Sequence, residues 1–273
     1  MWILILSPAN DVHAATLAAG LESYGHQTIT CHGLPTEWMS DSPPQYDGCL
    51  TWVTVRDLMT PQFGRYQAAL TLETANVPLT TPPSSLARAA DKAACYAAWA
   101  ARGLKVPSCW LLSGPQQPWP VLSRKLMVKP RYGWAGQDVR AVDNAAEAFE
   151  VAGHRHGGAL LQEQVAAVRR LRVIATANRV LHVDEERAQR GELVSMSDRL
   201  LQPLALERLD MDLEELALEA VAALGGGLMA LDILEDPGGW PWLVDANVSF
   251  GYDLNDRALK QTLVEGICEL LAR

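Results

Sequence analysis

Two short β-type runs near the C-terminus, separated by Asp236-Pro237-Gly238-Gly239, constrain the fold of this 273-residue chain more than any other feature. Leu228 to Leu234 and Trp242 to Asn247 are mostly apolar, and a Pro-Gly-Gly turn between such runs predicts a β-hairpin. With the turn centred between Gly238 and Gly239, Asp232 faces Asp245 and Ala230 faces Asn247. Strand side chains alternate, so Asp232, Asp245 and Asn247 share one face. Two opposed carboxylates about 5 Å apart repel, and a divalent cation between them reverses the sign of that interaction. Carboxylates with an amide oxygen are hard ligands suited to Mg²⁺, with phosphate oxygens completing its octahedron. The alternative is that Asp232 faces solvent and Asp245 merely ends a strand. Leu231-Asp232-Ile233-Leu234 is too apolar for an idle exposed edge.

The N-terminal end has its own pattern. Residues 2–6 form an apolar run bounded by Ser7-Pro8, as a buried parallel strand would. Residues 11–24 follow with helical periodicity, Gly25 sits at the C-cap position, and Gln27 to Cys31 is a second strand. This βαβ opening predicts an α/β domain. Gly48 to Val55 is a further predicted strand. Pro82 and Pro83 mark the domain boundary, and the alanine-rich stretch Leu86 to Arg102 is a predicted helix. Further strands are predicted at 126–130, 138–142, 160–165, 171–177 and 179–183, with helices at 144–152, 212–224 and 256–271.

Other groups carry phosphate chemistry. Lys129 ends a strand and precedes Arg131-Tyr132-Gly133-Trp134-Ala135-Gly136, a loop able to set an ammonium and backbone N–H groups around phosphates. Taken alone, a loop with two such glycines is also an ordinary turn. Arg172 alternates with Leu171 and Val173 on a strand, after Arg169 and Arg170, and Arg187 lies downstream. Arginines near a nucleotide stabilise transferring phosphoryl charge; each taken singly also reads as a surface ion pair. His154 and His156 read as a solvated loop. Asp253 and Asp256 are candidates for selecting an amine, with helix capping by Asn255 or Asp256 as the alternative.

In order and spacing, these elements resemble the ATP-grasp superfamily, most closely its ribosomal-protein glutamate ligase and LysX-type branch. The resemblance rests on Asp91-Lys92 opening a helix, Gly103-Leu104-Lys105-Val106-Pro107, Val128-Lys129-Pro130 with its glycine loop, Leu161-Gln162-Glu163, Leu171-Arg172-Val173, and Asp232 with Asp245-Ala246-Asn247. It implies an α/β (α+β) chain: a Rossmann-like N-terminal domain over 1–86, then the two ATP-grasp subdomains over 87–162 and 163–273. By that resemblance ATP and Mg²⁺ are the cofactors, and Lys92 and Lys129 contact the nucleotide. Gly133, Trp134, Ala135 and Gly136 form the loop over its phosphates, and Gln162, Glu163, Gln164 and Val165 the hinge that reads adenine. Arg172, Lys129 and Arg187 serve the transferring phosphate or substrate, and Asp232, Asp245 and Asn247 hold the metal. The family usually has Glu where Asp245 stands and an acidic residue before the Arg172 strand, where this chain has Arg169-Arg170.

The activity implied is carboxylate–amine ligation through an acylphosphate, on an amino acid, a small acid or a peptide. Two other readings are a nucleotide-binding regulatory partner without turnover and a phosphotransferase. A net charge of −9 argues against a general nucleic-acid or anionic-membrane partner. Five scattered cysteines, none spaced as a metal or disulfide framework, read as reduced thiols of a cytoplasmic protein. A homo-oligomer is compatible with the resemblance.

Overall fold

The computed structural model describes residues 1–33, 45–59, 64–112, 125–133, 139–152, 158–188 and 201–272. Strands β1 (Trp2–Leu6), β2 (Gln27–Cys31) and β3 (Gly48–Thr51) form a parallel sheet in the order β2-β1-β3, with α1 (Val12–Ser23) as the first crossover. Alternation along β1 sends Leu4 and Leu6 into one apolar cluster and Ile3 and Ile5 into another. The strand expected to reach Val55 stops at Thr51. Asp57 is the cause: its carboxylate accepts from the Thr54 backbone N–H at 2.7 Å and from the Thr54 hydroxyl at 2.9 Å, which starts α2 (Val55–Met59). Helix α3 (Arg65–Thr74) follows.

Pro82 and Pro83, expected at the domain boundary, open α4 (Pro83–Ala90), where a missing N–H costs nothing. The single helix expected from Leu86 to Arg102 is two. Asp91 is extended (φ −92°, ψ 99°), and its side chain accepts from the N–H groups of Ala93 and Ala94 at the start of α5 (Lys92–Ala101). That break puts Lys92 in the first turn of a new helix.

The second sheet has the order β4-β7-β5-β6, from β4 (Cys109–Leu112), β5 (Leu126–Pro130), β6 (Arg140–Val142) and β7 (Ala159–Glu163), with α6 (Ala145–Ala152) packed on β5 and β6. The third has the order β10-β9-β8-β11-β12 and is antiparallel: β8 (Arg169–Ala175), β9 (Val180–Arg187), β10 (Gln202–Pro203), β11 (Met229–Glu235) and β12 (Pro241–Asn247). Leu171, Val173, Leu231 and Ile233, all fully buried, share a cluster with the inner side of α7 (Met211–Leu224). At about 1.5–3 kcal/mol for each side chain removed from water, this layer fixes which way the sheet faces. Ile174 and Ala230, on the opposite face, pack with α8 (Arg257–Leu271) and β1. Asp256 caps α8, accepting from Leu259 N–H at 2.9 Å.

The hairpin contains a correction. Pairing nearest its turn is Glu235 with Pro241, so the turn is centred on Gly238, with Gly239 in the left-handed region at φ 76°. Ile233 pairs with Leu243, but Asp232 pairs with Asp245, leaving Val244 as an extra residue, a β-bulge. The bulge restores the pairing that the sequence predicts.

Candidate active site

One row of side chains runs across four strands. Asp184 on β9 stands opposite Arg172 on β8, Arg172 opposite Asp232 on β11, and Asp232 opposite Asp245 on β12. Arg172 grips Asp232 with two parallel bonds, Nε to Oδ1 and Nη2 to Oδ2, each 3.1 Å. Arg170, two residues back on the same face and buried, adds Nη2 to Oδ1 at 3.3 Å. Asn247 lies one strand repeat beyond Asp245 on that face, opposite Ala230.

Lys92 reaches the row from α5, its Nζ 2.5 Å from Asp245 Oδ1. Lys129, at the end of β5 and 6 % exposed, donates to the Tyr96 hydroxyl and to the Val244 carbonyl at 3.3 Å. The Tyr96 hydroxyl donates to the same carbonyl at 2.6 Å and lies 3.2 Å from Gln162 Oε1. The bulged residue therefore supplies the oxygen on which α5 and β5 converge. Burial, and then the neighbouring Lys92 charge, bring the Lys129 ammonium down to about 8, with Asp245 acting in the opposite direction. Burial, and then Asp245, drive the Tyr96 hydroxyl well above its ordinary range, so it stays a neutral donor.

Asp91 holds the two lysine-bearing segments together. Its carboxylate takes Arg131 Nε at 2.8 Å and Nη2 at 2.6 Å, and the Tyr132 hydroxyl at 3.1 Å, while Lys92 N–H donates to the Arg131 carbonyl. Burial pushes this carboxyl up, but the Arg131 hydrogen bonds outweigh it and leave it below the usual range.

Where the chain leaves β7, Glu163 N–H bonds to the Ser108 carbonyl and Gln164 N–H to that of Lys125. Val165 N–H has no hydrogen-bond partner among the described residues. Val165 joins Ala167, Leu234 and Val244 in a small apolar cluster, with Trp242 packed against it. An apolar wall beside an open backbone N–H is suited to a flat heteroaromatic ring.

The structure thus brings together Lys92, Lys129, Gln162, Arg172, Asp232, Asp245 and Asn247, with Glu163, Gln164 and Val165 at the chain crossing between the two antiparallel sheets. It does not bring Arg187 there. Arg187 pairs with Arg169, so alternation puts it on the face opposite Arg172, where its side chain is 61 % exposed and its Nε bonds to Glu185 at 3.0 Å. Gly133 closes the Arg131-Tyr132 turn; Trp134, Ala135, Gly136, His154 and His156 lie outside the described residues. Sequence reasoning missed Tyr96 and named Arg170 only as a neighbour preceding Arg172, without a place in the site. The signals were present: an aromatic in an alanine-rich helix, and an arginine two residues from Arg172 on the same strand face.

No protein-family model and no curated protein matches the sequence. Solved structures do match, over nearly its whole length. The ATP-grasp ligase PsnB, complexed with a minimal precursor, aligns over 98% of both chains with TM-score 0.71 and 14% identity. The macrocyclase MdnC from Microcystis aeruginosa MRC, bound with precursor peptide MdnA, aligns over 98% of this chain and 100% of its own, with TM-score 0.71 and 12% identity. A RimK domain ATP-grasp protein from Sphaerobacter thermophilus DSM 20745 gives TM-score 0.67 at 16% identity, again over 98% and 100%. PsnB has also been solved with Mg and ADP. With three sheets in this order and both chains covered almost end to end, the protein has the ATP-grasp fold.

Proposed function

We propose that this chain is an ATP- and Mg²⁺-dependent ligase that joins a carboxylate to an amine through an acylphosphate. The observation that carries the reading is the convergence of Lys92, Lys129 and Arg172 with Asp232, Asp245 and Asn247 on one sheet face, beside the apolar crossing at Val165. The oxygen donors fit a hard cation. Asp245 Oδ2 and the Asn247 side chain have no partner among the described residues, and they share the face of Asp232. Asp232, Asp245 and Asn247 would hold the metal, which supplies charge neutralisation to phosphate oxygens when bound.

The chain's own groups supply the rest. Lys129, desolvated and fixed by Tyr96 and the Val244 carbonyl, places an ammonium where phosphate oxygens accept it. Lys92 balances Asp245, and Arg172 and Arg170 balance Asp232, so each charge is pre-organised by its neighbour. Val165 N–H and the Val244–Leu234 wall would receive the adenine ring. In the reaction, a substrate carboxylate oxygen attacks the γ-phosphorus and ADP leaves. The amine nitrogen then attacks the acyl carbon, phosphate leaves, and the nitrogen gives up a proton. Arg172, on the same face, would supply positive charge to either oxyanion. The precursor peptides bound by PsnB and MdnC favour a peptide as the carboxylate substrate here.

The test is a screen of amino acids, small acids and peptides for coupled release of ADP and phosphate, with Asp245→Ala as control. A ligase releases both with formation of an amide. ADP without free phosphate would indicate a phosphotransferase, and nucleotide binding with no ADP release from any pair would indicate a regulatory partner. Full activity in Asp245→Ala would overturn the metal assignment.

A further inference from the structure

A cavity of about 540 Å³ opens where the carboxyl ends of β1 and β3 meet the segment that follows β12. Pro8, His32, Arg56 and Arg65 line it from the N-terminal sheet and its helices, Asn247 from the end of β12 and Ser249 from the segment after it. Asn247 therefore belongs both to this cavity and to the face of Asp232 and Asp245. The volume lies in the range of small-ligand sites.

The charges on its wall are one-sided. Among the described residues no Asp or Glu lines it, whereas two arginines do. Arg65 is already neutralised: it is buried in an ion pair with Asp57 and donates Nη1 to the His32 carbonyl at 2.8 Å. The same Asp57 carboxylate holds Thr54, so this wall is rigid and sets the position of α2. His32 is fixed too, its Nδ1–H donating to the Ser7 carbonyl at 3.0 Å. Arg56, on α2 next to Asp57, has no hydrogen-bond or ion-pair partner among the described residues. An exposed arginine fork on this wall, with no carboxylate partner among the described residues, matches a planar anion.

We propose that this cavity binds a second carboxylate of the ligase's substrates, one that is not activated, and that Arg56 is the residue selecting for it. The inference rests on the ligase reading and deepens it. The reacting group lies at the Asn247 end, next to the phosphates, and the second carboxylate lies on the Arg56 wall. Its source is either the acid component, which would then be a dicarboxylate or an acidic residue, or the amine component, which would then be an amino acid.

Small probes separate these sources. The full chain, with AMPPNP and Mg²⁺ and again without them, is titrated in one arm with glutarate against butyrate and in the other with glycine against methylamine. The expected result is that one carboxylate-bearing probe binds about tenfold more tightly than its truncated counterpart. Arg56→Ala removes that preference and Arg56→Lys keeps part of it, while AMPPNP affinity serves as the fold control for each variant. Equal binding within both pairs, or a preference that survives Arg56→Ala, overturns the proposal. The titrations without nucleotide read the cavity alone, so failure of the wild type to bind AMPPNP counts against the ligase reading and not against this one.

Discussion

The two faces of the C-terminal sheet carry nearly the same residue types and differ in almost everything else. On one face, Arg170 and Arg172 meet Asp232; on the other, Arg169 meets Glu185 and Glu235 while Arg187 meets Glu185. The first group is enclosed by residues from α5, β5 and β12. In the second, Arg169 is as buried as Arg170 and the two glutamates are about one-fifth exposed, but the group runs out to water at Arg187, whose side chain is 61 % exposed. Exposed pairs are screened and contribute little, whereas enclosed charges are costly unless paired and become strong electrostatic tools when they are. Composition did not decide which arginines belong to the site. Strand parity did.

Substitutions can break or sharpen this contrast. The largest effect is expected on the enclosed face: Asp232→Asn and Asp245→Asn should each lower coupled ADP release by about 100-fold or more. Activity within about threefold of wild type in either variant would show that the row is only a structural ion-pair ladder. Next comes pH. Lys129 carries its proton below about 8, so affinity for ATP should fall about tenfold between roughly pH 7 and pH 9, measured by titration calorimetry. Lys129→Met should bind weakly and lack the step. The sign for stability is opposite. The folded value lies below the ordinary lysine value of 10.5, so the unfolded chain holds more protons between the two, and Lys129 favours the folded, nucleotide-free protein more as pH rises through that window.

A smaller loss is expected for Tyr96→Phe, about 1–2 kcal/mol of stability in a denaturant titration, because it removes a buried donor to the Val244 carbonyl. The smallest belongs to the other face. Arg187→Ala should change stability by about 0–1 kcal/mol and leave ADP release within about twofold; a loss comparable to that of Arg172→Ala would erase the distinction between the faces.

The sequence made much of the site legible because strand alternation is a local rule. Apolar neighbours around Asp232 and a Pro-Gly-Gly turn were enough to set three oxygen-bearing side chains on one face. The same reasoning misplaced the turn by half a residue, and the pairing survived only because Val244 bulges. Bulges answer to tertiary partners, here Tyr96 and Lys129, which lie far away in the chain. The break at Asp91 was half visible. Asp is a good cap, but alanine-rich sequence on both sides favours continuing the helix, and only the pairing with Arg131 and Tyr132 makes the stop decisive. Helix α2 was hidden because Thr51-Trp52-Val53 has β character, and one carboxylate at Asp57 overrides it.

The bulge has a consequence for how this hairpin can change. With Val244 paired regularly, Asp245 would stand opposite Leu231 and enter the layer of Leu171 and Ile233, an uncompensated carboxylate in an apolar core. The charge itself thus forbids the smooth ladder and keeps the irregular one. Excising Val244 would leave Asp232 and Asp245 face to face while removing the oxygen that Tyr96 and Lys129 share, so one deletion would uncouple the two carboxylates from the lysine packed beside them.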